Sequence, residues 1–184
     1  MKNDNRGFTL VELIVSIALL GIIAVAAAGF LVTGTRTYTN VNYSVRLQYE
    51  TQLAMNQIQD YVMNCGKGIA FDGSILYIVN SDDTLDEVKW SSADGQLLFG
   101  RGSAAESGIQ ATDLMAEHVT GFAVSFTPAA ADDKVVNAGS AEITLTMERG
   151  GKTYTGTQTI ALRNKPLAAV SWEKLWDSLN PGAS

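Results

Sequence analysis

The chain has 184 residues, a formal net charge of −6, 46% hydrophobic and 17% charged residues, enough for one domain of ordinary size or one domain with an appendage. One cysteine, Cys65, excludes an internal disulfide, and one histidine, His118, excludes a histidine-built metal site and most histidine-dependent catalysis. The acidic pairs Asp82-Asp83, Asp86-Glu87 and Asp132-Asp133 argue against a nucleic-acid-binding surface.

The charge is unevenly placed. Of the 32 charged residues only Lys2, Asp4, Arg6 and Glu12 precede Arg36, and these four sum to zero. From Leu13 to Val32, 17 of 20 residues are apolar, the exceptions being Ser16, Gly21 and Gly29. Twenty helical residues span about 30 Å, the thickness of a bilayer's hydrocarbon core. The stretch therefore reads as a membrane helix or a cleaved signal. Lys2 and Arg6 before it and Arg36 and Arg46 after it leave its orientation open. Glu12 stands at the edge of the run, either at headgroup level or facing a partner, because a buried carboxylate needs a positive neighbour.

Arg6-Gly7-Phe8-Thr9-Leu10-Val11-Glu12-Leu13 resembles the processing site of type IV prepilins and type II secretion pseudopilins. In that family a short charged leader ends in Gly, followed by Phe, Thr-Leu-x-Glu and about 20 apolar residues; the likeness covers roughly the first 32 residues here. The resemblance implies cleavage by a prepilin peptidase between Gly7 and Phe8, N-methylation of Phe8, and pairing of Glu12 with the Phe8 amine of a neighbouring subunit. It also implies other pilins or pseudopilins and an inner-membrane assembly platform as partners. The competing reading is a Sec signal peptide, for which Ala24–Ala28 offers a cleavage site. In that reading Glu12 interrupts the apolar run and Phe8-Thr9 have no role.

Beyond the apolar run a helical pattern persists. Val41, Val45, Tyr49 and Leu53 recur every four residues, followed by Ile58, Tyr61 and Val62, which predicts an amphipathic helix whose apolar stripe lies on the following domain. Thr33–Thr37, rich in β-branched residues and containing Gly34, is its weak link. Asn64-Cys65-Gly66 predicts the stop, with Gly66 as a left-handed cap.

Residues 66–165 show turn signals and short alternating runs. Strands are predicted at Ser74–Val79, at Val88–Trp90 and Gln96–Phe99 around an Asp94-Gly95 turn, at His118–Thr127, and at Ala141–Glu148 and Thr153–Leu162 around Gly150-Gly151. The threonines of the last hairpin fit a solvated face, with carbohydrate or ice binding as the alternative. Asp82, Asp83, Asp86 and Glu87 are weak calcium candidates: they offer oxygen ligands but lack the Asp-x-Asp-x-Asp-Gly spacing. Otherwise no metal or cofactor is expected. After Arg163-Asn164, a strand end that looks like J-type minor pseudopilins, residues 167–179 predict a short amphipathic helix. Its Trp172 and Trp176 are either packed or available to a partner.

The expected fold class is α+β: a long N-terminal helix, half transmembrane and half amphipathic, packed on an antiparallel β-sheet head in the pilin manner. The expected divisions are leader 1–7, transmembrane and assembly helix 8–34, amphipathic half 35–65, head 66–166, and C-terminal helix and tail 167–184. No nucleophile elbow, P-loop or His-Cys dyad appears, so no enzyme is expected. The functional expectation is a minor pilin or pseudopilin in the cytoplasmic membrane with its head outside, later part of a cell-surface or periplasmic filament. Such a subunit primes or caps a type IV pilus, competence pilus or type II secretion pseudopilus. The alternative is a membrane-tethered or Sec-secreted binding protein or adhesin. Loss of Lys2, Asp4 and Arg6 with the leader takes the side-chain charge from −6 to −7.

Overall fold

The structure, a computed structural model, describes residues 9–104, 109–131 and 134–181. Two compact units meet in sequence at Asn42 and Tyr43. Helix α1 (Leu10–Met63) supplies the described residues of the first unit except Thr9, and opens the second.

In the first unit every described residue is exposed, and the apolar part of α1 is long and apolar enough to cross a membrane. The helix persists through the β-branched stretch predicted as its weak link. Thr33, Thr35 and Thr39 each donate a hydroxyl hydrogen bond to the carbonyl four residues earlier, at 2.9–3.0 Å. These back-bonds satisfy the hydroxyls without breaking the ladder.

The second unit is the head. Its first sheet has seven strands: β1 (Cys65–Phe71), β2 (Ile75–Asn80), β3 (Thr84–Ser91), β4 (Gln96–Ser103), β5 (Asp113–Ala116), β7 (Val136–Asn137) and β10 (Leu167–Ala169). They lie in the order β5-β4-β3-β2-β1-β10-β7. The second sheet is β6 (Val119–Thr127), β8 (Ser140–Arg149) and β9 (Lys152–Ala161), in the order β6-β8-β9. Helix α2 (Trp172–Leu179) follows, N-capped by Ser171, whose hydroxyl accepts the Lys174 amide at 3.4 Å.

The predicted hairpins form. β3 and β4 pair around residues 92–95, and β8 and β9 pair in continuous register from Ser140↔Ala161 to Arg149↔Lys152. Gly150 and Gly151 have φ of +59° and +71°, the left-handed pair that a two-residue turn matched to strand twist requires. Two features depart from a single antiparallel sheet. There are two sheets, and β1 pairs β10 in parallel through Gly68↔Leu167 to Ala70↔Ala169. That pair joins segments about 100 residues apart in sequence, which strand alternation alone cannot reveal.

Gly66 does not cap α1. Only Asn64 separates the helix from β1, and Gly66 lies inside that strand, next to a register shift between Cys65 and Gly68. A Cβ at Gly66 would stand 2.6 Å from the Ser81 backbone nitrogen, so close approach of the chain, not a positive φ, requires glycine there.

The stripe of α1 that faces the core matches the predicted one at Ile58, Tyr61 and Val62 but differs from it in the first half. Leu47, Thr51, Ala54, Met55, Ile58 and Val62 are buried, whereas Val41, Val45, Tyr49 and Leu53 are exposed. On the core side α1 meets the second sheet and also β4. The Thr51 hydroxyl lies 3.0 Å from the Met147 sulfur, and Tyr61 stacks on Phe99 with ring centroids 4.4 Å apart. Ile58, Val62, Ile78, Val88, Ile143, Leu145 and Met147 belong to one core. The other face of the first sheet carries a second core, where Val79, Leu85 and Ala169 pack with Leu175 of α2. Helices thus cover both faces of that sheet. The outer face of the second sheet is solvated, with threonine hydroxyls paired across strands: Thr144 with Thr157 at 3.1 Å and Thr146 with Thr155 at 3.0 Å.

Candidate functional site

The N-terminal site begins at Thr9, because Gly7 and Phe8 lie outside the described residues. The Thr9 amide donates to Glu12 Oε2 at 3.0 Å and the Thr9 hydroxyl donates to the same oxygen at 2.9 Å. The Glu12 amide donates back to Thr9 Oγ1 at 3.2 Å. This is a reciprocal capping box, in which the first helical donors and the carboxylate satisfy one another. Its signal, Thr-x-x-Glu at the start of an apolar run, stands in the sequence as Thr9-Leu10-Val11-Glu12. Sequence reasoning had placed Glu12 at headgroup level or facing a partner and had not paired it with Thr9. The capping box also places the carboxylate at the positive end of the helix dipole, where negative charge is stabilised. One turn on, the Ser16 hydroxyl donates to the Glu12 carbonyl at 2.7 Å.

The four acidic candidates in the head point to different places. Asp82 accepts the Thr84 hydroxyl at 2.7 Å and the Thr84 amide at 3.2 Å, and these bonds hold its pKa below the usual carboxylate value. Asp83 pairs with Lys67 at the surface. Asp86 is buried and accepts Arg101 in a two-pronged pair, Nε to Oδ1 at 2.5 Å and Nη2 to Oδ2 at 2.7 Å. Asn80 Nδ2 donates to Asp86 Oδ2 at 3.1 Å. The Asp86 hydrogen bond raises the Arg101 pKa. Glu87 is buried on the opposite face of β3, and desolvation raises its pKa. Among the described residues no three His, Cys, Asp or Glu side chains are grouped to hold a metal ion.

Trp172 stacks on Tyr77 with centroids 5.3 Å apart, and Trp176 lies 5.5 Å from Trp172; both are half-buried beside Leu175. Burial and the nearby Asp72 and Glu87 carboxylates raise the Tyr77 pKa. Cys65 is buried, its thiol donates to the Gly68 carbonyl at 3.2 Å, and desolvation pushes its pKa up to about 12. It is a packed residue, not a nucleophile.

Residues 2–28 match the family model described as the prokaryotic N-terminal methylation motif. The chain is a type IV pilin- or pseudopilin-like protein. No curated protein matches it. The matched segment covers the start of α1, so this pilin-like identity rests on the N-terminus together with the α+β architecture of a long helix packed on a head. The motif points to a structural subunit, processed by a prepilin peptidase and assembled with other pilins. The exposed apolar helix and the motif are both consistent with membrane anchoring.

Proposed function

We propose that this pilin-like chain is a minor filament subunit that primes or caps a type IV pilus, competence pilus or type II secretion pseudopilus. In this reading it waits in the cytoplasmic membrane with its head outside. Prepilin peptidase cuts between Gly7 and Phe8, Phe8 is N-methylated, and an inner-membrane assembly platform moves the subunit into the filament. Glu12 then meets the protonated Phe8 amine of the neighbouring subunit, because a carboxylate at membrane depth needs a cation. The pair also acts as a register device, formed only at the right stagger of adjacent helices. The observation that carries the reading is the methylation motif running directly into an apolar helix. A minor role is favoured by the elaborate head, with its second sheet and the α2 helix sealing a second core.

The test is the intact mass and N-terminal sequence of the mature protein. A start at methylated Phe8 is expected; a start at Gly29, the outcome of Sec-type cleavage, overturns the reading. Glu12→Ala should leave cleavage intact and lower recovery of the chain in sheared filaments, whereas undiminished recovery overturns the pairing.

A further inference from the structure

Four strands end the two sheets: β5 and β7 in the first, β6 and β9 in the second. An edge strand presents unpaired backbone groups, and proteins blunt such edges with short length, bulges, prolines or charges. β5 has four residues and β7 two. β6 has a register shift between Val119 and Gly121. Its Val119 is also engaged, donating its amide to the Gly95 carbonyl at 2.8 Å and accepting Trp90 Nε1 at 3.3 Å. β9 has none of these devices. It runs ten residues in unbroken register with β8, without a proline, and carries no charge from Thr153 to Ala161.

Two hydrogen bonds show which β9 groups face the open edge. The Glu148 amide donates to the His118 carbonyl at 2.8 Å, away from β9, so its register partner Thr153 receives no bond from β8. The Leu162 amide donates to the Gly139 carbonyl at 2.9 Å, which fixes the same alternation from the other end. Backbone direction alternates along an antiparallel strand. Thr153, Thr155, Thr157 and Thr159 therefore turn both amide and carbonyl outward, and among the described residues none of these groups has a backbone partner. Beside this edge a groove of about 400 Å³ lies between β9 and α1, with Gln52, Met55, Asn56, Tyr154, Gly156 and Gln158 in its lining. Gly156 leaves the strand without a side chain there, because a Cβ would stand 2.9 Å from Thr51 Cγ2. The α1 wall is as neutral as the strand, with no charged residue from Thr51 to Gln59.

We propose that the open edge of β9 receives an extended, uncharged segment of a partner protein, which adds as a fourth strand to the second sheet and sets an aromatic side chain opposite Gly156. Paired donors and acceptors at every second residue are the pattern an extended peptide satisfies. Neutral walls select a neutral segment, since a charge enclosed between them would lose its hydration without gaining a partner. The groove beside Gly156 suits a ring, which a cross-strand glycine leaves room for. Met55 and Tyr154 offer it apolar contact, and the amides of Gln52, Asn56 and Gln158 suit a polar ring tip. On the outer face the added strand extends the threonine pairs that already join β8 to β9. A second copy of β9 fits less well. The antiparallel register that sets its Tyr154 opposite Gly156 also sets its Lys152 opposite Gln158, a cation against the neutral wall.

Binding of a labelled peptide to the full chain in detergent tests the inference. The probe is a short capped peptide of threonines and valines around one central tyrosine, read by fluorescence anisotropy. Saturable binding is expected, with slowed amide hydrogen exchange across residues 153–159. A probe with lysine in place of its tyrosine should not bind. Thr157→Pro removes an outward amide while leaving the bonds to β8 in place, and should weaken binding about two- to tenfold, the scale of one hydrogen bond. Gln52→Lys, on an exposed helix position that does not threaten folding, should weaken it through the charge it brings to the groove. Leu114→Lys on β5 should leave it unchanged. No saturable binding, equal binding of the lysine probe, or unchanged affinity in Thr157→Pro or Gln52→Lys overturns the inference. So does a twofold chain mass in light scattering that Thr157→Pro halves, since that gives the edge to a second copy. The assay reads the head alone, so its outcome is independent of where the N-terminus is processed and of the filament reading above.

Discussion

Leu47 and Tyr49 lie two positions apart on α1 and make opposite predictions for stability. Leu47 is fully buried in the main core, whereas Tyr49 is 66% exposed. Leu47→Ala removes buried methyl and methylene groups and leaves a cavity under the second sheet, a loss of about 2–5 kcal/mol. At about 2–4 °C per kcal/mol for a domain of this size, the head's unfolding midpoint should fall by roughly 5–15 °C. Tyr49→Ala trims a side chain that lies mostly in water and should change stability by no more than about 0.5 kcal/mol. Thermal unfolding of the full chain in detergent, followed by tryptophan fluorescence, reads the difference, because Trp90, Trp172 and Trp176 all belong to the head. An equal loss from the two substitutions, or a larger loss from Tyr49→Ala, would refute the assignment of the core-facing side of α1.

Three further outcomes are expected. Arg101→Met should cost about 1–3 kcal/mol: it leaves the buried Asp86 carboxylate with Asn80 as its remaining donor, but Arg101 is itself half-exposed, which discounts the pair. Arg101→Met with Asp86→Leu should recover part of that loss in urea unfolding, and a double variant no more stable than the single one would refute this account. Burial raises the Glu87 pKa, so the folded state holds that proton more tightly than the unfolded chain and stability falls as pH rises above the ordinary glutamate value of 4.5. Glu87→Gln should therefore flatten that part of the stability–pH curve and raise stability at pH 7, and an unchanged curve would count against the assignment. Cys65 should react with maleimide at pH 8 only after unfolding, and labelling of the native protein at the rate of a free thiol would show that the buried thiol is accessible.

What the sequence disclosed depended on the range of the interaction. The apolar start of α1, the β3–β4 and β8–β9 hairpins and α2 were legible because each is specified within about a dozen residues by periodicity, turn glycines or caps. The parallel β1–β10 pair and the division into two sheets depend on contacts between distant segments and left no local trace. The same limit applies to the acidic candidates. Asp86 and Glu87 are neighbours in sequence, yet strand alternation sends them to opposite faces of β3, one to Arg101 and the other into the α2 side of the sheet. Proximity in sequence had suggested a shared ligand that the strand geometry separates.

The misassigned first half of the α1 stripe has a different cause. Counting large apolar residues favours Val41, Val45, Tyr49 and Leu53, because the core side includes Thr51 and Ala54, which such a count undervalues. Those small residues are what allow the close contact: Thr51 Cγ2 would lie 2.9 Å from a Cβ built at Gly156, so helix and strand approach only because both side chains are small. The Thr51 hydroxyl is satisfied by the Leu47 carbonyl at 2.7 Å, which makes its burial tolerable. Leu47, Met55, Ile58 and Val62 fill the rest of the core side, while Val41, Val45, Tyr49 and Leu53 lie on the other. A single-interface helix would place its bulk inward and its charges outward. In α1 Val45, Tyr49 and Leu53 face outward, an arrangement that folding of the head does not require.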